Sequence, residues 1–557
     1  MGFNAIDAIK GYVDKSNWEV HENSNKGFAF PSLLNHVAGM AMKEYAMTEM
    51  YTKEIAEAHK TGFIHIHDLG TAINPYCCGW DVVDLLLKGF RGSAKATAAP
   101  AKHLDSFLAQ VANFIGTLQS EWAGAQAFNS IDVFSAPFIR HDNLSYAAVK
   151  QAIQRFIFWL NIATRGGESA FSNITLDMSV PEDYQEMDVI IGGEPREDLG
   201  TYADYQREID IFNEAFVEIM MEGDSDGKPF SFPVTTINVT DDFPWDSPVT
   251  QKMFVGTARY GLFNFQNYIG SGLDIKDVRS LCCRLSLSFD EIKKRTGGIF
   301  GNSPKTGSIG VVTLNLAMLA NEADGDLSKL LKLVDNYCNI AKESLEIKRK
   351  VIQNTFDSGL LPYTKMYLSG FQTYFSTIGV VGGNECCEAF LGEGIQTDVG
   401  QELMTVILKR MLSWTKEYSE ETGNMYNLES TPAEGCSFRL ALCLRERFPN
   451  APVAGEGDGI YLTNSTNLPV DFSDDLWKCI QHQEPLQNIY SGGTIFHVWL
   501  GESPSPETAK ALVRTICQNS TLPFFSLTPT FSLCPKHGYI PGEHETCPIC
   551  VKENDNG

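Results

Sequence analysis

The sequence contains no apolar run of the roughly eighteen residues that a membrane-crossing helix needs, so no such span is predicted. It is short of positive charge: 44 Lys and Arg stand against 69 Asp and Glu, a formal net charge of −25. A surface that coats nucleic acid needs clustered cations, so that class of partner is excluded. A small phosphorylated ligand stays open, because backbone N–H groups and a few cations can hold phosphate locally. Met1-Gly-Phe-Asn-Ala-Ile-Asp lacks a basic region followed by an apolar one, so no export signal is expected. Ile6 breaks the myristoylation pattern behind Gly2. The expected location is cytoplasmic. No linker or low-complexity break divides the chain.

Cysteine, by contrast, is plentiful, with fourteen in 557 residues. In a reducing compartment these serve metal binding, catalysis or the core rather than a disulfide framework. Three doublets occur, Cys77-Cys78, Cys282-Cys283 and Cys386-Cys387. Adjacent cysteines rarely bridge each other, so a doublet reads as one working thiol and a neighbour. Cys282 and Cys283 lie between Arg279 and Arg284, ahead of the glycine-punctuated segment 306–315, whose Val-Val-Thr-Leu is a buried-strand pattern. A loop that carries cysteines into a barrel and returns along a strand reads this way. So does a core cysteine pair beside a surface arginine.

Length alone suggests two to four domains, or one large barrel with added helices. Residues 33–60 have helical spacing, and 105–165 are helix-rich. Gly116, Ala123, Gly124, Ala125 and Ala127 would there permit close helix–helix approach, in a bundle or at a subunit interface, and a tight internal core is equally compatible. Segments 171–180 and 230–239 are strand candidates flanking an amphipathic helix over 205–221, a βαβ unit. Further helical stripes are Leu331, Val334, Cys338, Ala341, Leu345 and Leu403, Ile407, Met411, Trp414, Tyr418. Further strands are expected at 310–316 and 493–500. The economical reading is one α/β barrel with an N-terminal helical region over 1–525, then a C-terminal segment over 526–557.

Four stretches carry chemistry. His65-Ile-His67-Asp68 puts two imidazoles on one strand face. No Cys or further His follows at ligand spacing, so structurally satisfied histidines are expected. In Asn427-Leu-Glu429-Ser-Thr431-Pro-Ala-Glu434, Ser430 or Thr431 would cap a helix starting at Pro432. The functional alternative makes Glu429 or Glu434 an acid/base and the helix start an anion site. The paired Gly492-Gly493 allow close approach of backbone to a ligand, or a plain turn. Cys534-Pro-Lys-His537 and Cys547-Pro-Ile-Cys550 describe a zinc ribbon whose four protein ligands close a structural site, with His544 as the alternative fourth ligand.

Together these stretches resemble the anaerobic (class III, glycyl-radical) ribonucleoside-triphosphate reductases. The likeness runs from about residue 27 to 550, through 27–31, 65–70, Pro75-Tyr-Cys77 with Gly79-Trp80, 122–127, 279–285, 306–315, 427–435, 492–497 and the cysteine knuckles. It implies a ten-stranded α/β barrel with added helices, a finger loop bearing a cysteine at its centre, and a C-terminal zinc ribbon. Cys282 or Cys283 would become the thiyl radical that takes the 3'-hydrogen of the ribose. Cys77 would be the reducing thiol on the opposite face as the 2'-hydroxyl leaves. Glu434, or failing that Glu429, would be the acid/base. Asn315 is the candidate for a polar residue that goes with formate as reductant in place of a small redoxin. Thr431, Gly492, Gly493 and Thr494 would bind the triphosphate, with Mg²⁺.

The resemblance also implies a homodimer, dNTP and ATP effectors, structural Zn²⁺, and a radical activase using S-adenosylmethionine and an iron-sulfur cluster. Two departures stand out. The family's radical glycine follows the knuckles in an Arg-Val-x-Gly-Tyr-like segment, whereas this sequence ends at Gly557, seven residues past Cys550. The chain as given is therefore expected to be catalytically incompetent. An N-terminal ATP-cone module is also missing, so loss of overall dATP control is expected, with specificity control retained. The rival readings are another glycyl-radical enzyme, resembling pyruvate formate-lyase, and a non-catalytic zinc-ribbon protein.

Overall fold

The computed structural model describes residues 3–16, 20, 27–91, 96–273, 275, 305–431, 434–470, 472–473, 475–534, 536, 538–544 and 546–555. Cys282, Cys283 and His537 lie outside the described residues.

Ten strands form a ring. In chain order they are β1 (Cys77–Trp80), β2 (Gln126–Phe128), β3 (Ser172–Leu176), β4 (Val234–Val239), β5 (Phe263–Asn267), β6 (Thr306–Asn315), β7 (Tyr374–Val381), β8 (Met425–Glu429), β9 (Phe496–Leu500) and β10 (Phe524–Pro529). The first five pair side by side in parallel. In the second five, β6, β7 and β8 run parallel, as do β9 and β10. The two halves meet antiparallel at two seams, β1 with β6 and β5 with β10. A parallel bridge from Glu429 to Gly492, just ahead of β9, joins the remaining ends, and Ser430 N–H donates to Gly492 O at 3.0 Å. The ring is thereby closed through the loop ahead of β9 rather than by a full ladder between β8 and β9. A short strand, Ile64–Ile66, adds antiparallel to the far end of β6.

Successive strand residues face opposite sides. Ile174, Leu176, Ile237, Val239, Phe263, Phe265, Ile378, Val380, Tyr426 and Leu428 join the apolar core shared with the surrounding helices. The positions between them face inward: Asn173, Thr175, Thr236, Asn238, Gln266, Thr377, Gly379, Asn427 and Glu429. The inner face is thus largely polar or small over these positions, with Val311, Phe375 and Met425 as apolar exceptions.

Helices bury the outer face. Leu327–Asp357 is capped by the Asp326 carboxylate on Lys329 N–H and buries Leu330, Val334, Cys338, Ala341 and Leu345. Its stripe begins at Leu330 rather than Leu331, one step of helical phase from the expected face. Asp398–Thr422 buries Leu403, Ile407, Met411 and Tyr418, and ends on Gly423 at φ +72°. Gln206–Glu222 buries Ile209, Phe212, Phe216 and Ile219 between β3 and β4, as the spacing predicts. Each such side chain, fully buried, contributes about 1.5–3 kcal/mol. No helix among the described residues is long and apolar enough to cross a membrane.

One expectation is corrected. The small residues of 122–127 do not pack helices together: after the helix Leu104–Leu118 the chain turns and enters the ring as β2. Gly124 N–H donates to Tyr76 O at 2.6 Å, and a Cβ on Gly124 would stand 3.2 Å from that oxygen. Small size here serves backbone pairing. The ring's last strand ends at Pro529 and the knuckle hairpin starts at Phe531.

Candidate active site

The first doublet is divided by the pleat of β1. Cys78 joins the outer apolar core, where its Sγ lies 2.9 Å from the Tyr374 hydroxyl. Cys77, equally buried, therefore faces inward, opposite Ser308 in the β1–β6 register. Gly307 lets β6 approach this closely, since a Cβ there would fall on the Cys77 carbonyl oxygen. Ser308 Oγ stands 2.8 Å from Thr377 Oγ1, and Asn427 follows Thr377 in register on β8. The row from Cys77 to Asn427 crosses four strands of the inner wall.

At the end of β7 and β8 the phosphate-site candidates come together. Glu429 ends β8, buried, and pairs with Gly492. Gly493 has φ +71°, and a Cβ there would collide with Glu429 Cγ, so only glycine lets this loop close onto β8. Thr494 and Thr431 are both buried, and among the described residues Thr431 Oγ1 has no hydrogen-bond partner. Gly379 makes room for Thr431, because a Cβ there would meet that hydroxyl. The next helix is Glu434–Arg447, so Glu434 stands in its first turn, while the expected start at Pro432 lies outside the described residues.

Asn315 is placed differently from the expectation of a side chain turned to a ligand. Its Oδ1 caps the helix Leu316–Ala323 through Met318 N–H at 3.1 Å. Its Nδ2 donates to Gly62 O at 3.1 Å and to Leu440 O at 3.4 Å. The amide thus ties β6 to the helix that begins at Glu434.

The histidine pair gains a neighbour that sequence spacing does not reveal. Cys436, about 370 residues further on, brings its thiol within 4.8 Å of the ligating atoms of His65 and His67. His67 Nε2 lies 2.8 Å from Thr313 Oγ1, and Arg439 Nη1 donates to His65 Nδ1 at 3.2 Å. The Arg439 guanidinium also reaches the His59 carbonyl oxygen. Burial holds the His59 and His65 imidazoles well below their ordinary range and brings His67 down to about 4, with Arg439 acting in the same direction. Neutral imidazoles beside a fixed guanidinium make this pocket electropositive, which suits a small anion better than a cation.

At the C-terminus, Cys534 and Cys550 lie 3.7 Å apart and Cys547 accepts the Cys550 N–H at 3.3 Å. All three thiols fall within 4.8 Å of one another. Zinc–sulfur bonds of about 2.3 Å in a tetrahedron put sulfurs about 3.8 Å apart, so the three fit one ion. His544 turns its Nε2 to Pro541 O at 2.9 Å. The hairpin leans on the helix Pro248–Tyr260, with the Arg259 guanidinium 4.4 Å from the Tyr539 ring centre. The third doublet is structural: Cys386 and Cys387 are buried in the helix Gly383–Leu391, and burial raises both thiols.

A closed ten-stranded α/β ring with an inward thiol, a glycine loop shut against a buried carboxylate and a C-terminal thiol cluster defines a barrel enzyme of the ribonucleotide-reductase type. The family model of the anaerobic ribonucleoside-triphosphate reductases matches residues 22–556, and the chain belongs to that family. Its members are oxidoreductases. The Escherichia coli anaerobic ribonucleoside-triphosphate reductase is 23% identical over 97% of this chain and 79% of its own length. That of phage T4 is 23% identical over 88% of this chain and 83% of its own. In structure, the anaerobic ribonucleotide reductase of Thermotoga maritima with glycerol in its active site is similar at a TM-score of 0.77, with 23% identity, over 98% of this chain and 89% of that one. Crystals of that enzyme also hold dATP in a specificity site.

Proposed function

We propose that this chain reduces ribonucleoside triphosphates to 2'-deoxyribonucleoside triphosphates by thiyl-radical chemistry inside the ring. The observation that carries the reading is the Cys77 thiol on a polar inner wall, in a ring that ends in the Glu429–Gly493 closure. Cys282 or Cys283 takes the 3'-hydrogen as a thiyl radical, once a glycyl radical made by an S-adenosylmethionine, iron-sulfur activase has supplied the oxidising equivalent. Cys77 then delivers hydrogen as the 2'-hydroxyl departs as water. Holding both thiols about one ribose supplies the orientation on which the rate depends. Glu434, or Glu429 at the closure, moves the proton of the 3'-hydroxyl. Thr431, Gly492, Gly493 and Thr494 hold the triphosphate, accompanied by Mg²⁺. Asn315 acts as a positioning residue between β6 and the Glu434 helix.

The electropositive pocket of His65, His67 and Arg439 supports formate, a small anion, over a redoxin as reductant. Zinc held by Cys534, Cys547, Cys550 and His537 fixes the C-terminal hairpin. A homodimer with a dNTP or ATP specificity site in the cytoplasm completes the reading. Anoxic assays of CTP reduction with activase and an added glycyl-radical segment, comparing formate with thioredoxin, test it. Cys77→Ser is expected to bind CTP normally and form no dCTP. Stabilisation by small carbonyl compounds and by no nucleoside triphosphate would favour the pyruvate formate-lyase-like alternative and sink this one.

A further inference from the structure

Asn427 is only 2% exposed, yet among the described residues neither its Nδ2 nor its Oδ1 has a hydrogen-bond partner. Its direction is fixed by its neighbours. Tyr426 turns outward and donates to Glu346 Oε1 at 2.7 Å, and Leu428 joins the outer apolar core. Asn427 therefore points into the ring, between Met425 and Glu429 on the inner face of β8. Its partner in register, Thr377, is turned to Ser308, the partner in register of Cys77. The amide stands three strands around from the Cys77 thiol, roughly 14 Å along the wall at about 4.8 Å per strand.

Folded proteins leave few buried amides unpaired at both ends, because the loss of hydration goes uncompensated. A ligand that completes Asn427 must offer an acceptor and a donor side by side. The vicinal hydroxyls of a ribose do so, and a planar amide matches them with one N–H and one carbonyl oxygen. We propose that Asn427 is a substrate-binding residue that grips the ribose diol of the nucleotide, and that it discriminates substrate from product. The inference rests on the ribonucleotide reading above. A 2'-deoxyribose fills only half of the amide, so the product is held less tightly than the substrate. A site built around a hydroxyl rejects the analogue that lacks it.

The test is calorimetric titration of CTP and dCTP into the full chain, wild type and Asn427→Leu, with thermal unfolding of the nucleotide-free proteins alongside. Leucine keeps the γ-branched shape, somewhat enlarged, without a polar group. The variant is expected to melt no lower than wild type, to bind CTP at least about tenfold more weakly, and to lose the preference for CTP over dCTP. A structural amide would give the reverse: a lower melting temperature and an unchanged preference, which overturns the proposal. Asn427→Ser, which keeps one hydroxyl, serves if the leucine variant does not fold, and its preference is expected to shrink. An unchanged preference in it also overturns the proposal. Failure of the wild type to bind either nucleotide would overturn the ribonucleotide reading and this inference with it.

Discussion

Lys348 offers a quantitative test of how the inner region of this fold is held. It lies on the helix Leu327–Asp357, is 2% exposed, and makes neither an ion pair nor a hydrogen bond among the described residues. Gly310 on β6 leaves the space its stem occupies: a Cβ there would stand 2.8 Å from Lys348 Cδ. Burial brings the ammonium down to about 8 from 10.5, opposed only by the nearby Asp68 carboxylate. Between about pH 8 and 10.5 the unfolded chain binds a proton that the folded chain lacks, so stability rises with pH across that window. Below it the cost of the buried charge is complete: about 2.5 pH units at 1.36 kcal/mol each, roughly 3 kcal/mol. Methionine keeps the length of the stem without the charge. Lys348→Met is therefore expected to gain about 2–3 kcal/mol in urea unfolding at pH 7. It should also flatten the rise between pH 8 and 10. A variant less stable than wild type at pH 7, or a wild type whose stability does not climb over that window, would refute the reasoning.

Three further outcomes are expected. Gly493→Ala, forced to hold φ +71° with its Cβ against Glu429, should cost about 1–3 kcal/mol from the backbone conformation alone, read by urea unfolding, with loss of CTP binding. Asp132 is buried, and burial with the neighbouring Asp177 raises its carboxyl to about 7. The folded chain thus keeps a proton that the unfolded chain releases between about pH 4 and 7, and stability falls as pH rises through that range. Asp132→Asn still accepts the N–H groups of Asp177 and Met178 and should remove this slope, measured as unfolding midpoints at pH 5 and 8. Cys550→Ser should lower the zinc content of the purified chain, measured by mass spectrometry, while the melting of the barrel stays where it was.

What could be read in the sequence followed periodicity. The helices Gln206–Glu222, Leu327–Asp357 and Asp398–Thr422 each have one apolar stripe, and the stripe is what packs. Strand-like runs located β3, β4, β6 and β9 to within a few residues, because β-branched residues end at glycines and helix caps. β2 was misread as part of a helical region: three residues, Gln126–Phe128, are too few for an alternation to register. Strand alternation alone does not say which of Cys77 and Cys78 faces inward, since a doublet on a strand presents one residue to each face; the resemblance points to Cys77. The register against Ser308 and the contact of Cys78 with Tyr374 place Cys77 inward and Cys78 outward. The resemblance alone points to Asn315, and its amide is taken up by a cap and two carbonyls. The Cys436 thiol beside His65 and His67, and the row through Ser308, Thr377 and Asn427, depend on strands brought together by ring closure. Their one sequence trace is the polar residue at every second position, as in Asn427 and Glu429 on β8 and Thr377 on β7.

That trace bears on why the ring is built in two halves. A ring filled for stability would place branched apolar residues inward on every strand. Here the inner wall leaves Thr431 Oγ1 and both ends of the Asn427 amide without partners, and Lys348 is buried nearby with only the Asp68 carboxylate acting on it from a distance. Each is a loss of stability that the outer apolar shell must offset, and each lies on or beside the second half of the ring. The first half presents the Cys77 thiol across the β1–β6 seam. The seam joins a wall that holds a buried thiol to a wall with unpartnered polar atoms. Among the described residues Asn173 Oδ1, Thr236 Oγ1 and Gln266 Oε1 of the first half lack partners too, and a polyhydroxylated ligand between the walls would supply them. Ligand binding should therefore raise the melting temperature by the amount its Kd dictates, and Asn427→Leu, by weakening that Kd, should shrink the rise at the same ligand concentration.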